Sequence, residues 1–119
     1  MATVNKIIEH VDSVRPNTFS AEDKFVWLSD LDGMVSRVVM QKDEPVRYEF
    51  PKNMDTHLLV PAPWDSIYAL YLEAQIALHQ GEIEDYNNAL LVFDTRFTEF
   101  KKAYIRENMP KSAGYIKNL

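Results

Sequence analysis

The residues able to do chemistry in this chain are few and scattered. His10, His57 and His79 are the only histidines. They fall in three different segments, and no His-x-x-x-His pair exists to set two imidazoles on one helix face. Cysteine is absent, which removes thiol nucleophiles, disulfides and thiolate metal ligands together. The acidic pairs Asp30/Asp32 and Glu84/Asp85 are two apart or adjacent, so neither pair shares a helix face, and solvation is their expected role. A general acid and base would have to converge from separate helices. No Gly-x-Ser-x-Gly elbow and no glycine-rich phosphate loop occurs. One group, Tyr68, Tyr71 and Tyr86 with Asn87, could line a polar pocket in a ligand carrier or small enzyme. The expectation is a protein that binds other proteins, with no catalytic site, cofactor or metal.

The elements that must position these groups are helical. Val4, Ile7, Ile8 and Val11 fall at helical spacing, and Pro16-Asn17 break the run, predicting a short helix over 4–13. Ser20 followed by Asp23 resembles a capping box and opens a second helix, Ala21 to Met40. Its inward stripe is Leu28, Leu31, Val35 and Val38, widened by Phe25 and Val39. Gly33 within it costs about 1 kcal/mol relative to Ala, so it marks a bend or a close helix contact. Pro63 suits the first turn of a third helix ending at His79, apolar on most sides and therefore central. Gly81 stops it. The fourth helix carries the stripe Ile83, Tyr86, Leu90, Phe93, Phe97, Phe100 and Tyr104, and Pro110 ends it. The short linker makes the last two helices an antiparallel hairpin. If the shorter third helix leaves Phe97, Phe100 and Tyr104 uncovered, they become partner contacts.

Between the second and third helices the helical period is lost. Pro45, Pro51, Pro61 and Pro63 punctuate this stretch, Val46 to Phe50 alternates as a strand does, and Leu58-Leu59-Val60 is a second short candidate. A β-hairpin or a folded loop over about 42–62 is expected, packed on helices because an isolated hairpin is marginal. The fold class is thus mainly α: a small antiparallel bundle of about four helices with this insertion. Residues 1–109 form one domain, and 110–119 form a flexible tail.

Charge and composition narrow the function further. Hydrophobic residues are 46% and charged residues 26% of the 119, an ordinary globular composition. No window approaches a membrane span, and the first residues lack the apolar run of a signal peptide, so a soluble cytosolic protein is expected. Residues 1–100 hold eight bases and seventeen acids, whereas 101–119 hold five bases against Glu107. The acidic body argues against nucleic-acid binding by counterion release. The basic end either complements a helix C-terminus or steers toward an acidic partner.

Three stretches carry a resemblance. They are Trp27-Leu28-Ser29-Asp30-Leu31-Asp32-Gly33-Met34-Val35, then Leu58 through Pro61-Ala62-Pro63-Trp64-Asp65 to Leu72, then Ile76 through Tyr86-Asn87-Asn88-Ala89 to Phe93. Together they resemble head–tail connector, or neck adaptor, proteins of tailed bacteriophages and prophages of Gram-positive hosts, over about residues 4–107. These are packing and turn motifs, not catalytic ones.

The resemblance implies a helical bundle assembled as a ring of about twelve subunits, docked beneath the portal protein and above a tail-side neck protein. It implies a place in the virion neck, reached from the bacterial host cytoplasm. DNA would pass through the channel without sequence-specific binding, and an acidic lumen would let it slide. Contacts are expected from Tyr48, Phe50, Met54, Leu59 and Trp64 in the middle segment, and from Tyr115, Ile116 and Leu119 in the tail. The competing expectation is a helical regulator or chaperone encoded by a prophage, monomeric or dimeric, with its helix-four stripe fully covered.

Overall fold

The structure is a computed structural model that describes residues 2–108. The tail 110–119, with Tyr115, Ile116 and Leu119, lies outside the described residues. Helix α1 spans Val4–Val14 and buries Val4, Ile8 and Val11. The Thr3 hydroxyl accepts the Lys6 N–H at 3.2 Å, satisfying one of the donors a helix start leaves open. Helix α2 spans Ala21–Met34, and Ser20 caps it by accepting the Asp23 N–H at 3.0 Å.

The expected run to Met40 is helical, but its last part is not α. Residues Val35–Val39 form a single π turn, in which the Met40 N–H reaches back five residues to the Val35 carbonyl at 3.0 Å. A wider turn changes which residue completes the inward stripe. Val39 comes inward and is buried, while Val38, expected in the stripe, is 48% exposed.

Helix α3 spans Ser66–His79. Pro63 does not open it; Pro63 sits in the turn before it, and the peptide bonds Phe50–Pro51 and Ala62–Pro63 are cis. Ile67, Tyr68, Leu72, Ala74, Ile76 and Ala77 of α3 are buried, as its all-round apolar sequence requires. Gly81 then takes a positive φ of 79°, a conformation in which a side chain would be strained. Helix α4, Ile83–Asn108, turns back along α3. Arg15 at the end of α1 bonds the carboxylates of Glu82 and Asp85, tying α1 to the α3–α4 turn.

The core lies where α1, α2 and α3 meet, and Phe93 and Phe100 close it from α4. Most of the α4 stripe is covered. Phe100 is buried beside Trp64, with ring centroids 6.2 Å apart, and Phe97 stacks on Phe93 at 5.5 Å. Tyr104 is half-buried. Ile83 is the exception, exposed at the first position of its helix. Among the described residues no strand forms, so the alternation at 46–50 does not yield a hairpin; the one β-bridge joins Thr3 to His57.

Candidate interaction surface

What holds residues 40–65 in place without a sheet is a polar stripe on the second helix. Ser29, Asp32 and Ser36 are spaced three and four apart, so they share one face running from α2 into the π turn. Each accepts a backbone N–H from the middle segment: Tyr48 to Ser29 at 3.1 Å, Leu59 to Asp32 at 3.0 Å and Val46 to Ser36 at 2.9 Å. The donors at 46 and 48 are two residues apart, the spacing at which the amides of an extended chain point the same way. Helix side chains take the place of a neighbouring strand, and this is why no hairpin closes. Ser36 in turn donates to the Gly33 carbonyl at 2.8 Å.

Gly33 lies at the same close approach. A Cβ built there would lie 3.2 Å from the Val46 carbonyl oxygen and 3.7 Å from Pro45. The glycine expected to mark a close contact admits the middle segment rather than another helix.

Asp32 is the centre of the stripe and is fully buried. The expectation of a solvated role, sound for the exposed Asp30, fails here. Besides the Leu59 amide, Asp32 accepts hydrogen bonds from the Tyr48 and Tyr68 hydroxyls, each at 2.6 Å. The Tyr68 hydroxyl also accepts the Val60 N–H at 2.7 Å, so its own proton must go to Asp32. Burial raises the Asp32 pKa above its ordinary 3.8, with the two phenols and the amide opposing the rise. Burial and the adjacent carboxylate push both phenols well above the usual tyrosine range. The cluster is a closed acceptor–donor set that fastens residues 48, 59 and 60 to α2 and α3.

The second limb of the segment is pinned to the start of α1 and to Ala2 ahead of it. The Met54 carbonyl accepts the Asn5 N–H at 2.9 Å, and the Leu58 N–H reaches the Ala2 carbonyl at 2.9 Å. Asn53 closes the turn between the limbs, its side-chain oxygen accepting the Glu49 N–H at 2.7 Å.

The described residues expected to make partner contacts therefore lie on one anchored segment, but they differ in what they offer. Phe50 is 38% exposed and meets Phe25 edge-on at 5.4 Å. Tyr48, Met54, Leu59 and Trp64 are half-buried against the core. The Tyr48 hydroxyl faces Asp32, so only the outer edge of that ring remains for a partner. Beside Tyr48, a groove of about 390 Å³ runs between α2 and residues 45–48, with Asp30 and Arg47 among its lining residues.

The tyrosine–asparagine pocket does not assemble. Tyr68 turns to Asp32, Tyr71 packs on Phe93 at 5.3 Å, and Asn87 and Asn88 are both exposed. The polar cluster that does form draws on Ser29, Asp32 and Ser36, which the sequence reading left out of any site. Their signal was polar residues at helical spacing, each directly following a buried apolar one: Leu28, Leu31 and Val35. Among the described residues no group of three or more His, Asp or Glu side chains could hold a metal ion, and no helix is long and apolar enough to cross a membrane. His79 is spent on structure: its ring stacks on Trp27 at 4.9 Å, and its Nδ1 lies 2.8 Å from the Gln75 carbonyl, to which it donates. In comparisons with protein families, curated proteins and solved structures, nothing matches the chain.

Proposed function

We propose that this protein is a virion structural adaptor of the head–tail connector kind, which assembles as a ring between the portal protein and the tail. The observation that supports this reading is the middle segment. Residues 40–65 carry no helix or strand, yet side chains of α2 and backbone of α1 fix them at many points. A long irregular segment held rigidly on a helical scaffold is a binding surface with little ordering entropy left to lose on docking. Phe50, Met54 and Trp64 supply its apolar anchors, and Arg47 and Glu49 its charged rim.

In the ring, this segment and helical flanks make the contacts between subunits, and the acidic body faces the channel, where like charge keeps DNA sliding. The virion neck is then its place, with the bacterial host cytoplasm before assembly. A lumen lined with Lys or Arg would contradict the channel part of this reading.

A second reading is favoured by one observation, the covered α4 stripe. Burial of Phe93 and Phe100 suits a helical regulator or chaperone that never forms a ring. Light scattering of the protein alone and mixed with a candidate portal protein separates the two. A ring-sized mass or a stable portal complex is expected. A small species that ignores the portal would transfer the assignment to the regulator.

A further inference from the structure

The outer face of α4, opposite the buried Phe93 and Phe100, is covered by nothing within the described chain. Glu84, Asn88, Leu91, Thr95, Lys102 and Arg106 follow one another at helical spacing along this face, and all are exposed. Leu91 is 68% exposed, more than any other large hydrophobic residue among those described. Around it lie the uncharged Asn88, Thr95 and Thr98, and the exposed Glu99 one turn after Thr95. The charges at its two ends have opposite signs: Glu84 at the start, Lys102 and Arg106 near the finish.

We infer that this face binds the same face of a second copy, with the two α4 helices antiparallel about a two-fold axis at Thr95. The charge pattern selects both the occupant and its direction. Glu84 and Arg106 are equally far from Thr95 along the helix, so half a turn about that residue sets each opposite the other. Asn88 and Lys102 are related in the same way, and Leu91 comes against Thr98 beside the axis. Parallel pairing would instead set Glu84 against Glu84 and Lys102 against Lys102, which repel. Glu99, on the same face, stands one turn before Lys102 on its own helix, an attractive i, i+3 pair that balances its charge.

The size of the contact sets its strength. A face about 38 Å long and about 10 Å wide buries roughly 800 Å² in total, below the roughly 1,200–2,000 Å² of stable complexes. The dimer is weak and concentration-dependent. It does not rest on the ring reading, since a two-fold contact of like faces has no place in a simple cyclic ring of more than two subunits.

The absence of cysteine gives a direct test. Thr95→Cys places a single thiol at the axis, and Ser13→Cys places one at an exposed position on α1. Under mild oxidation Thr95→Cys should cross-link to a dimer several-fold faster than Ser13→Cys. Equal rates would overturn the inference. In sedimentation at high protein concentration, Glu84→Lys should weaken the dimer, and Glu84→Lys combined with Arg106→Glu should restore it. A chain that stays monomeric at every concentration would also overturn it. So would ring-sized particles whose Thr95→Cys thiols do not cross-link, an outcome that leaves the adaptor reading standing.

Discussion

Asp32 is buried among two phenols and an amide, with no ion pair among the described residues. Replacing its carboxyl by an amide of the same shape should be costly. Asn puts two amide protons where the carboxyl group carries, even in acid, only one, and they face hydroxyl groups committed as donors. Asp32→Asn should lose about 2–4 kcal/mol, measured by urea unfolding in acid. The pH dependence has a definite sign. Because burial raises the folded pKa above 3.8, the native state holds its proton where the unfolded chain has lost it. The margin of the wild type over Asp32→Asn is therefore fully present below pH 3.8 and shrinks as pH rises through the raised pKa. A margin that grows with pH would mean that the three hydrogen bonds outweigh burial.

At the scale of elements, the π turn and Gly33 solve one problem. The chain must bring an extended segment close enough to α2 for serine hydroxyls to reach its amides. A glycine removes the Cβ that would meet the Val46 carbonyl, and the wider turn that follows carries the buried Ser36. Gly33→Ala adds helix propensity of about 1 kcal/mol but presses on a carbonyl held by its own residue's bond to Ser36, so the usual gain should not appear. Gly33→Val combines the contact with a β-branched side chain and should lower stability by about 1–3 kcal/mol, read from the thermal midpoint. Unchanged stability in Gly33→Val would show that residues 45–46 yield freely and are not firmly held.

For the molecule as a whole, the core is shared unevenly. Helices α1, α2 and α3 bury most of it, and α4 contributes Phe93 and Phe100 as a lid. Phe100 also holds the cis-proline turn through Trp64. Phe100→Ala should therefore cost about 3–5 kcal/mol and expose Trp64, seen as a red shift of its fluorescence together with the lost stability. A smaller loss with unshifted emission would mean that α4 docks mainly through Phe93. The opposite face of α4 makes no such contribution, which is why its exposed Leu91 is open to a partner.

Much of the helical frame was legible in the amino-acid sequence. The Ser20 cap, the Gly81 stop and the apolar periods of Val4 to Val11 and Phe93 to Tyr104 are local signals, set by backbone sterics and side-chain spacing within a few turns. They named four helices and the hairpin of the last two. The middle segment was not legible in this way. Val46 to Phe50 alternates like a strand, and strand propensity says only that the chain is extended, not what satisfies its amides. Ser29, Asp32 and Ser36 satisfy several of them, and their partners lie ten to twenty-seven residues away. The same distance hid the burial of Asp32, which reads in sequence like its solvated neighbour Asp30. Tertiary packing alone decided which polar residues of α2 face the interior, because only the folded chain brings Tyr48, Leu59 and Tyr68 to the carboxylate that they satisfy.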